Sequence, residues 1–149
     1  MGDNVNLAAR MESGAKQYGV YTMITETSKR ACEEHGPGKL TFRFLDKIVV
    51  KGRSLPVSIF EVVSLSEDLT PSARECIELF DQGTARYLAQ DWDGAEALFQ
   101  RSGELEPNQP GKTPGVEGNP SLTLIKHCQQ MRQHPPGPGW DGVYVMKEK

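Results

Sequence analysis

LTFRFLDKIVV (residues 40–50) and LPVSIFEVV (residues 55–63) are two runs of β-branched and aromatic residues, separated by KGRS at 51–54. Val, Ile and Phe suit a pleated, half-buried surface, and a glycine-containing break of this length lets the chain reverse. The pair therefore predicts an antiparallel β-hairpin with a somewhat extended loop. Pro56 cannot donate to a ladder, which places the start of the second strand near an edge.

Upstream, Leu7, Met11, Ala15 and Tyr18 fall at helical spacing. They predict a helix over residues 5–18, with Asp3 and Asn4 available as caps and Gly19 as a stop. VYTMIT (20–25) reads as a strand, and ETSKRACEEHG (26–36) as a short charged helix ending at Gly36. Downstream, SLSEDLTPS (64–72) interrupts the strand pattern and helical patterning takes over, so a domain boundary is expected near residue 69.

Beyond that boundary, GTARYLAQDWDGAEALFQRSGELEP resembles one tetratricopeptide unit, with Gly83, Tyr87, Ala95, Phe99 and Pro107 in the positions that repeat favours. Gly83 and Ala95 would let two helices approach closely, and Trp92 and Phe99 would fill the groove between them. Gln82 and Ser102 depart from the pattern, and no second copy follows. PNQPGKTPGVEGNP is a Pro/Gly loop, and SLTLIKHCQQMRQ is a third helix with Leu124, Cys128 and Met131 on one stripe. The final PPGPGWDGVYVMKEK is extended, and Trp140 and Tyr144 are expected to dock onto the helices.

The charges of both signs are scattered, with a net charge of −3, so no basic stripe follows a phosphate backbone and nucleic acid is not the expected partner. Cys32, Cys76 and Cys128 lie far apart without a CxxC pair. They read as free thiols of a reducing compartment. No apolar run approaches the roughly 20 residues of a membrane span, and the segment is expected to be cytoplasmic, with any anchor of its parent in a preceding part.

Asn6 and Arg10 are four residues apart, on one helical face that Ser13 and Gln17 continue as a polar stripe. An amide and a guanidinium on adjacent turns can hydrogen-bond a ribose and a phosphate oxygen at a fixed separation. GDNVNLAARMES, which contains them, resembles the helix-entry motif of class III nucleotide cyclases, and VVKGRSLPVSIFEVV resembles the closing hairpin of that same domain.

The resemblance implies an α+β fold: residues 1–68 as the C-terminal half of a ferredoxin-like class III cyclase catalytic domain, and 69–149 as an all-α, tetratricopeptide-like tail. It implies that Asn6 orients the ribose of ATP or GTP, and that Arg10 stabilises charge on the α-phosphate as the 3′-hydroxyl attacks and pyrophosphate leaves. Lys51 would contact the polyphosphate. Arg53 reads as a surface charge. The parent would be a signalling lyase working as a homodimer, one protomer giving this helix and the other the aspartates that hold magnesium or manganese. Those aspartates do not match Asp3 or Asp46, so no metal ligand is assigned in this chain, which is expected to be inactive alone. The alternative is a non-catalytic protein-interaction module built on the helical tail, which a single repeat-like unit argues against.

Two other features carry no chemistry. Gly111-Lys112-Thr113 has Glu106 where a phosphate-binding loop needs its first glycine, and Pro114 stops the helix that should follow. His35, His127 and His134 stand singly and are expected to be solvated or loosely packed.

Overall fold

The computed structural model describes residues 15, 16, 18–50 and 55–146. The chain divides into two units, one running to Asp68 and resumed from Gly142, the other Leu69–Asp141. Each has its own core.

The first unit is an α+β arrangement around a four-stranded sheet. Strand β1 (Met23–Thr25) leads directly into helix α1 (Glu26–His35), followed by β2 (Leu40–Val50), β3 (Val57–Leu65) and, from the end of the chain, β4 (Val143–Met146). The order is β1-β3-β2-β4, with β3 antiparallel to β1 and β2, and β4 parallel to β2. The hairpin expected from the two strand-like runs is present. Pro56 stands one residue before β3, beyond the Ile59–Glu61 stretch that β1 pairs with, so its missing N–H costs no ladder bond.

The helical pattern before Gly19 ends as its glycine suggests. Gly19 takes φ 69°, its amide bonds the Lys16 carbonyl at 3.2 Å, and the Val20 amide reaches the Ala15 carbonyl at 3.0 Å. This is a Schellman cap, which needs a left-handed residue at that place. The turn uses up the start of the expected strand, and β1 is confined to three residues.

α1 begins at Thr25, whose hydroxyl accepts from the Ser28 amide at 3.4 Å, and ends with the Gly36 amide on the Cys32 carbonyl. It lies against one face of the sheet, where Lys29 Nζ stands 5.4 Å from the Phe42 ring centroid and 5.1 Å from that of Phe60. Phe44 and Phe60 meet edge to face on the same surface, as expected for a cross-strand aromatic pair. The opposite face carries Arg43, Leu45, Asp46, Ile48 and Ile59, all buried.

In the second unit, α2 (Pro71–Leu88), α3 (Trp92–Leu105) and α4 (Pro120–Gln133) are each capped by a side chain on a backbone amide, from Thr70, Asp91 and Asn119 respectively. Contacts of Tyr87 with Trp92, Phe80 with Phe99, and Cys76 with Ser102 descend one helix while climbing the other, so α2 and α3 run antiparallel. Ser102 with Ser121, Glu96 with Gln129, and Asp93 with Arg132 do the same for α3 and α4.

Phe99 fills the α2/α3 groove as expected, but Trp92 is only half-buried, set at the first turn of α3 between Tyr87 and Trp140. Ser102, a misfit in the repeat pattern, is fully buried because α4 lies on it. The Ser102 hydroxyl meets Ser121 Oγ at 2.6 Å, and Ser121 donates its hydroxyl and amide to Glu106 Oε2 at 2.6 and 3.2 Å. A carboxylate is thereby seated at the N-terminus of α4, where the helix dipole favours it. The buried stripe of α4 is Ser121, Leu124, His127 and Cys128, with Met131 at its margin.

Trp140 does dock on the helices, 5.3 Å from Tyr87 and 5.7 Å from Trp92 between centroids. Tyr144 does not. It pairs with Ile48 across β4 and β2, because VYVM continues the sheet once the glycine-rich bend ends.

Gly83 faces Phe99 so closely that an added Cβ would lie 2.7 Å from Cε1 and 2.9 Å from Cδ1 of the ring. Gly83→Ala would otherwise gain about 1 kcal/mol of helix propensity. The overlap should more than cancel this, for a net loss of about 1–2 kcal/mol read as a lower urea midpoint. A raised midpoint would show that Phe99 shifts aside freely.

Candidate functional site

Asn6 and Arg10, the sequence-predicted catalytic residues, and Lys51, the predicted phosphate contact, lie outside the described residues, as do Asp3, Ser13, Gln17 and Arg53. What the structure provides is the framework on either side of them. At the end of the segment that carries Asn6 and Arg10, Tyr18 is 1% exposed and donates its hydroxyl to Asp46 Oδ2 at 2.9 Å. Asp46 is 2% exposed, and its Oδ1 accepts from the Lys47 amide at 2.8 Å.

Asp46 reaches this position through an irregularity in the strand. Phe44 pairs with Phe60 and Asp46 with Ile59, leaving Leu45 as an extra residue in β2. A bulge of this kind resets the alternation of side chains. Leu45, Asp46 and Ile48 are consequently all buried, along with Arg43 two residues before the bulge.

Arg43 is cross-strand partner to Glu61 and donates to its Oε1 from Nε at 2.8 Å and from Nη2 at 2.6 Å, with the two side chains 3% and 12% exposed. Burial, reinforced by the nearby Asp46 carboxylate, pushes the Tyr144 phenol above its ordinary value. It therefore stays protonated through the physiological range.

β2 delivers the chain to Lys51 and is held on both sides. β3 pairs with it as far as Ile48 opposite Val57, and β4 as far as Val50 opposite Met146. The strand leading into the loop thus has little freedom to move.

Among the described residues no group of three or more His, Cys, Asp or Glu side chains is placed to hold a metal ion. Asp46, the early aspartate that is described, has both oxygens engaged and does not fit such a role. Burial and the Glu96 carboxylate push the Cys128 thiol up to about 12, so it is no thiolate nucleophile at neutral pH.

The Gly111-Lys112-Thr113 turn folds onto Gln109, whose carbonyl accepts from the Lys112 and Thr113 amides and whose side chain donates to the Gly103 and Glu106 carbonyls at the end of α3. It caps a helix. His35 and His134 are exposed, but His127, expected to be loose, is 6% exposed on the inner face of α4 with its ring 6.5 Å from Tyr87.

Sequence reasoning passed over the buried Tyr18–Asp46 contact, treating the first residue as one more apolar position and the second as an unmatched aspartate. The available signal was a carboxylate inside a strand pattern, where an unpartnered charge would be costly.

No protein-family model matches the chain, and no solved structure matches it significantly. Two curated proteins do. The "Adenylate cyclase, terminal-differentiation specific" of Dictyostelium discoideum is 29% identical over 131 residues, 87% of this chain and 6% of that protein. An "Adenylate cyclase" of Anabaena cylindrica is 43% identical over 65 residues, 42% of this chain and 12% of that protein. This chain is related to adenylate cyclases.

It spans only a small part of the length of either relative. A match over 87% of the chain necessarily takes in the β2/β3 hairpin and helices α2 and α3. The likeness to the Dictyostelium protein therefore extends through the helical unit, beyond the sheet.

Among the described residues no helix is long and apolar enough to cross a membrane.

Proposed function

We propose that this chain is the part of a class III nucleotide cyclase that supplies the transition-state side of the active site, with a tetratricopeptide-like helical unit behind it. The observation that carries the reading is the presence of GDNVNLAARMES and VVKGRSLPVSIFEVV, in that order, in a chain related to proteins named adenylate cyclase.

In the reaction, the 3′-hydroxyl oxygen of ATP or GTP bonds to the α-phosphorus and loses its proton. The bond from that phosphorus to the bridging oxygen breaks, giving cyclic AMP or cyclic GMP and pyrophosphate. Asn6 holds the ribose so that the 3′-oxygen faces the phosphorus. Arg10 donates to the oxygens on which charge grows, an interaction that strengthens as the reaction proceeds. Lys51, a compact point charge at the hairpin loop, binds the polyphosphate.

Magnesium or manganese would be held by carboxylates outside this chain, contributed by the other protomer of a cytoplasmic homodimer. The reading predicts that the isolated 149-residue chain forms no detectable cyclic AMP or cyclic GMP with either metal. Turnover that persists after contaminating cyclases have been removed would overturn the division of labour.

A further inference from the structure

We propose that the open trough along α2 is a contact face for a second copy of this chain, in which the two α2 helices cross antiparallel at Gln82 and Glu78 of each copy pairs with Arg86 of the other. The surface lies wholly within the helical unit, beyond the cyclase reading, and its test needs no cyclase activity.

Two shallow depressions meet at Gln82. One runs down α2 past Leu79 and Glu78 to Leu69, and the other runs up past Ala85 and Arg86 to Leu98 of α3, so together they form one trough along the helix. Of the two departures from the repeat pattern, Ser102 is accounted for by the cover that α4 provides. Gln82 instead stands exposed at the middle of the trough. A repeat-like helix pair buries such a face by stacking it on a neighbour.

The charges along the trough are self-complementary. Glu78 and Arg86 lie about one turn, roughly 6 Å, to either side of Gln82. Antiparallel helices related by a two-fold axis at Gln82 bring Glu78 opposite Arg86 twice over, with Leu79 opposite Ala85 and Glu75 opposite Ala89. No like charges meet along α2 in that register. Axes about 8–10 Å apart leave the carboxylate and the guanidinium within reach of each other. On the axis itself Gln82 faces its own copy, and an amide carries both donors and an acceptor, so it can pair with itself.

Arg86 Nη1 already donates to Asp91 Oδ2 at 3.3 Å, but both side chains are exposed. Such a pair is weak, and the guanidinium keeps further donors for the second copy. The mixture of signs along the trough suits neither a uniformly acidic nor a uniformly basic peptide.

Sedimentation equilibrium of the 149-residue chain should show a reversible monomer–dimer equilibrium. Glu78→Arg and Arg86→Glu should each weaken it about tenfold, because one reversal turns two attractive pairs into repulsive ones. Both reversals in the same chain should restore the dimer. The decisive readout is a mixture of the two single variants, which should form heterodimers within about threefold of the native stability, since each supplies the charge the other lacks. Lys126→Glu, an exposed reversal on α4, is the control and should leave the dissociation constant within about twofold. A chain that stays monomeric, or a dimer indifferent to both reversals, would overturn the proposal, as would single variants that fail to associate with each other.

Discussion

Arg10→Ala in the complete enzyme should slow turnover roughly a hundredfold while changing KM only a few-fold. The loss corresponds to about 3 kcal/mol, the usual cost of deleting one donor aimed at developing negative charge. On the proposed reading the ground-state α-phosphate would be solvated and shared with the metal ions, so affinity should depend little on this guanidinium. As the 3′-oxygen bonds to phosphorus, charge would concentrate on the phosphoryl oxygens, and on that reading the guanidinium's contribution should rise. Lys51→Ala should behave differently. A point charge on the polyphosphate acts in ground and transition states alike, and its loss should appear largely as a raised KM. Steady-state kinetics on the two variants separate these roles. Near-normal turnover with a raised KM for Arg10→Ala would reduce that residue to a ground-state contact.

Leu124→Asp should unfold the helical unit. Leu124 is 1% exposed on the inner stripe of α4, beside Cys128 at 0% and facing helix α3. Truncating such a leucine alone costs about 2–5 kcal/mol. A carboxylate in its place adds the cost of a charge without a partner in an apolar setting. Together these are a large share of the stability of a small domain. With Trp140 replaced by Phe, Trp92 should report the change, because its half-buried ring would lose its contact with Tyr87. Its emission should shift to the red, and the chain should aggregate through exposed Leu79, Phe80 and Phe99. Leu122→Asp is the control: Leu122 is 38% exposed on the outer face, and its change should stay within about 0.5 kcal/mol. A monomeric Leu124→Asp chain with unshifted Trp92 emission would show that α4 is dispensable, and would favour a helical unit left open for a partner.

The hairpin and the five helical segments from Ala15 onward were legible because their signals are local. β-branched runs, a Gly-containing break, and Gly19 and Gly36 as stops each act within a few residues, whereas Pro71 and Pro120, read as parts of the breaks, in fact open their helices. What escaped depends on contacts distant in sequence. VYVM carries too short a pattern to announce a strand, and the whole helical unit separates it in sequence from its partner β2. Ser102 looked wrong for a helix pair and is right for a trio, since only α4 brings Ser121 to it.

The candidate site divides the same way. Asn6, Arg10 and Lys51 are proposed from their motifs alone, whereas the burial of Asp46 depended on the bulge at Leu45, for which LDK in an otherwise regular strand gives no cue. Tyr18 was readable as an apolar position on its helix. Its hydroxyl acquired a role only when the strand supplied an acceptor.

The central claim is tested most directly by assaying cyclic nucleotide formation by the complete protein that contains this chain, with ATP and GTP each supplied with magnesium and with manganese. The account predicts cyclic AMP or cyclic GMP together with stoichiometric pyrophosphate, abolished or reduced roughly a hundredfold by Arg10→Ala. A folded complete protein that yields neither product under any of these conditions would contradict it.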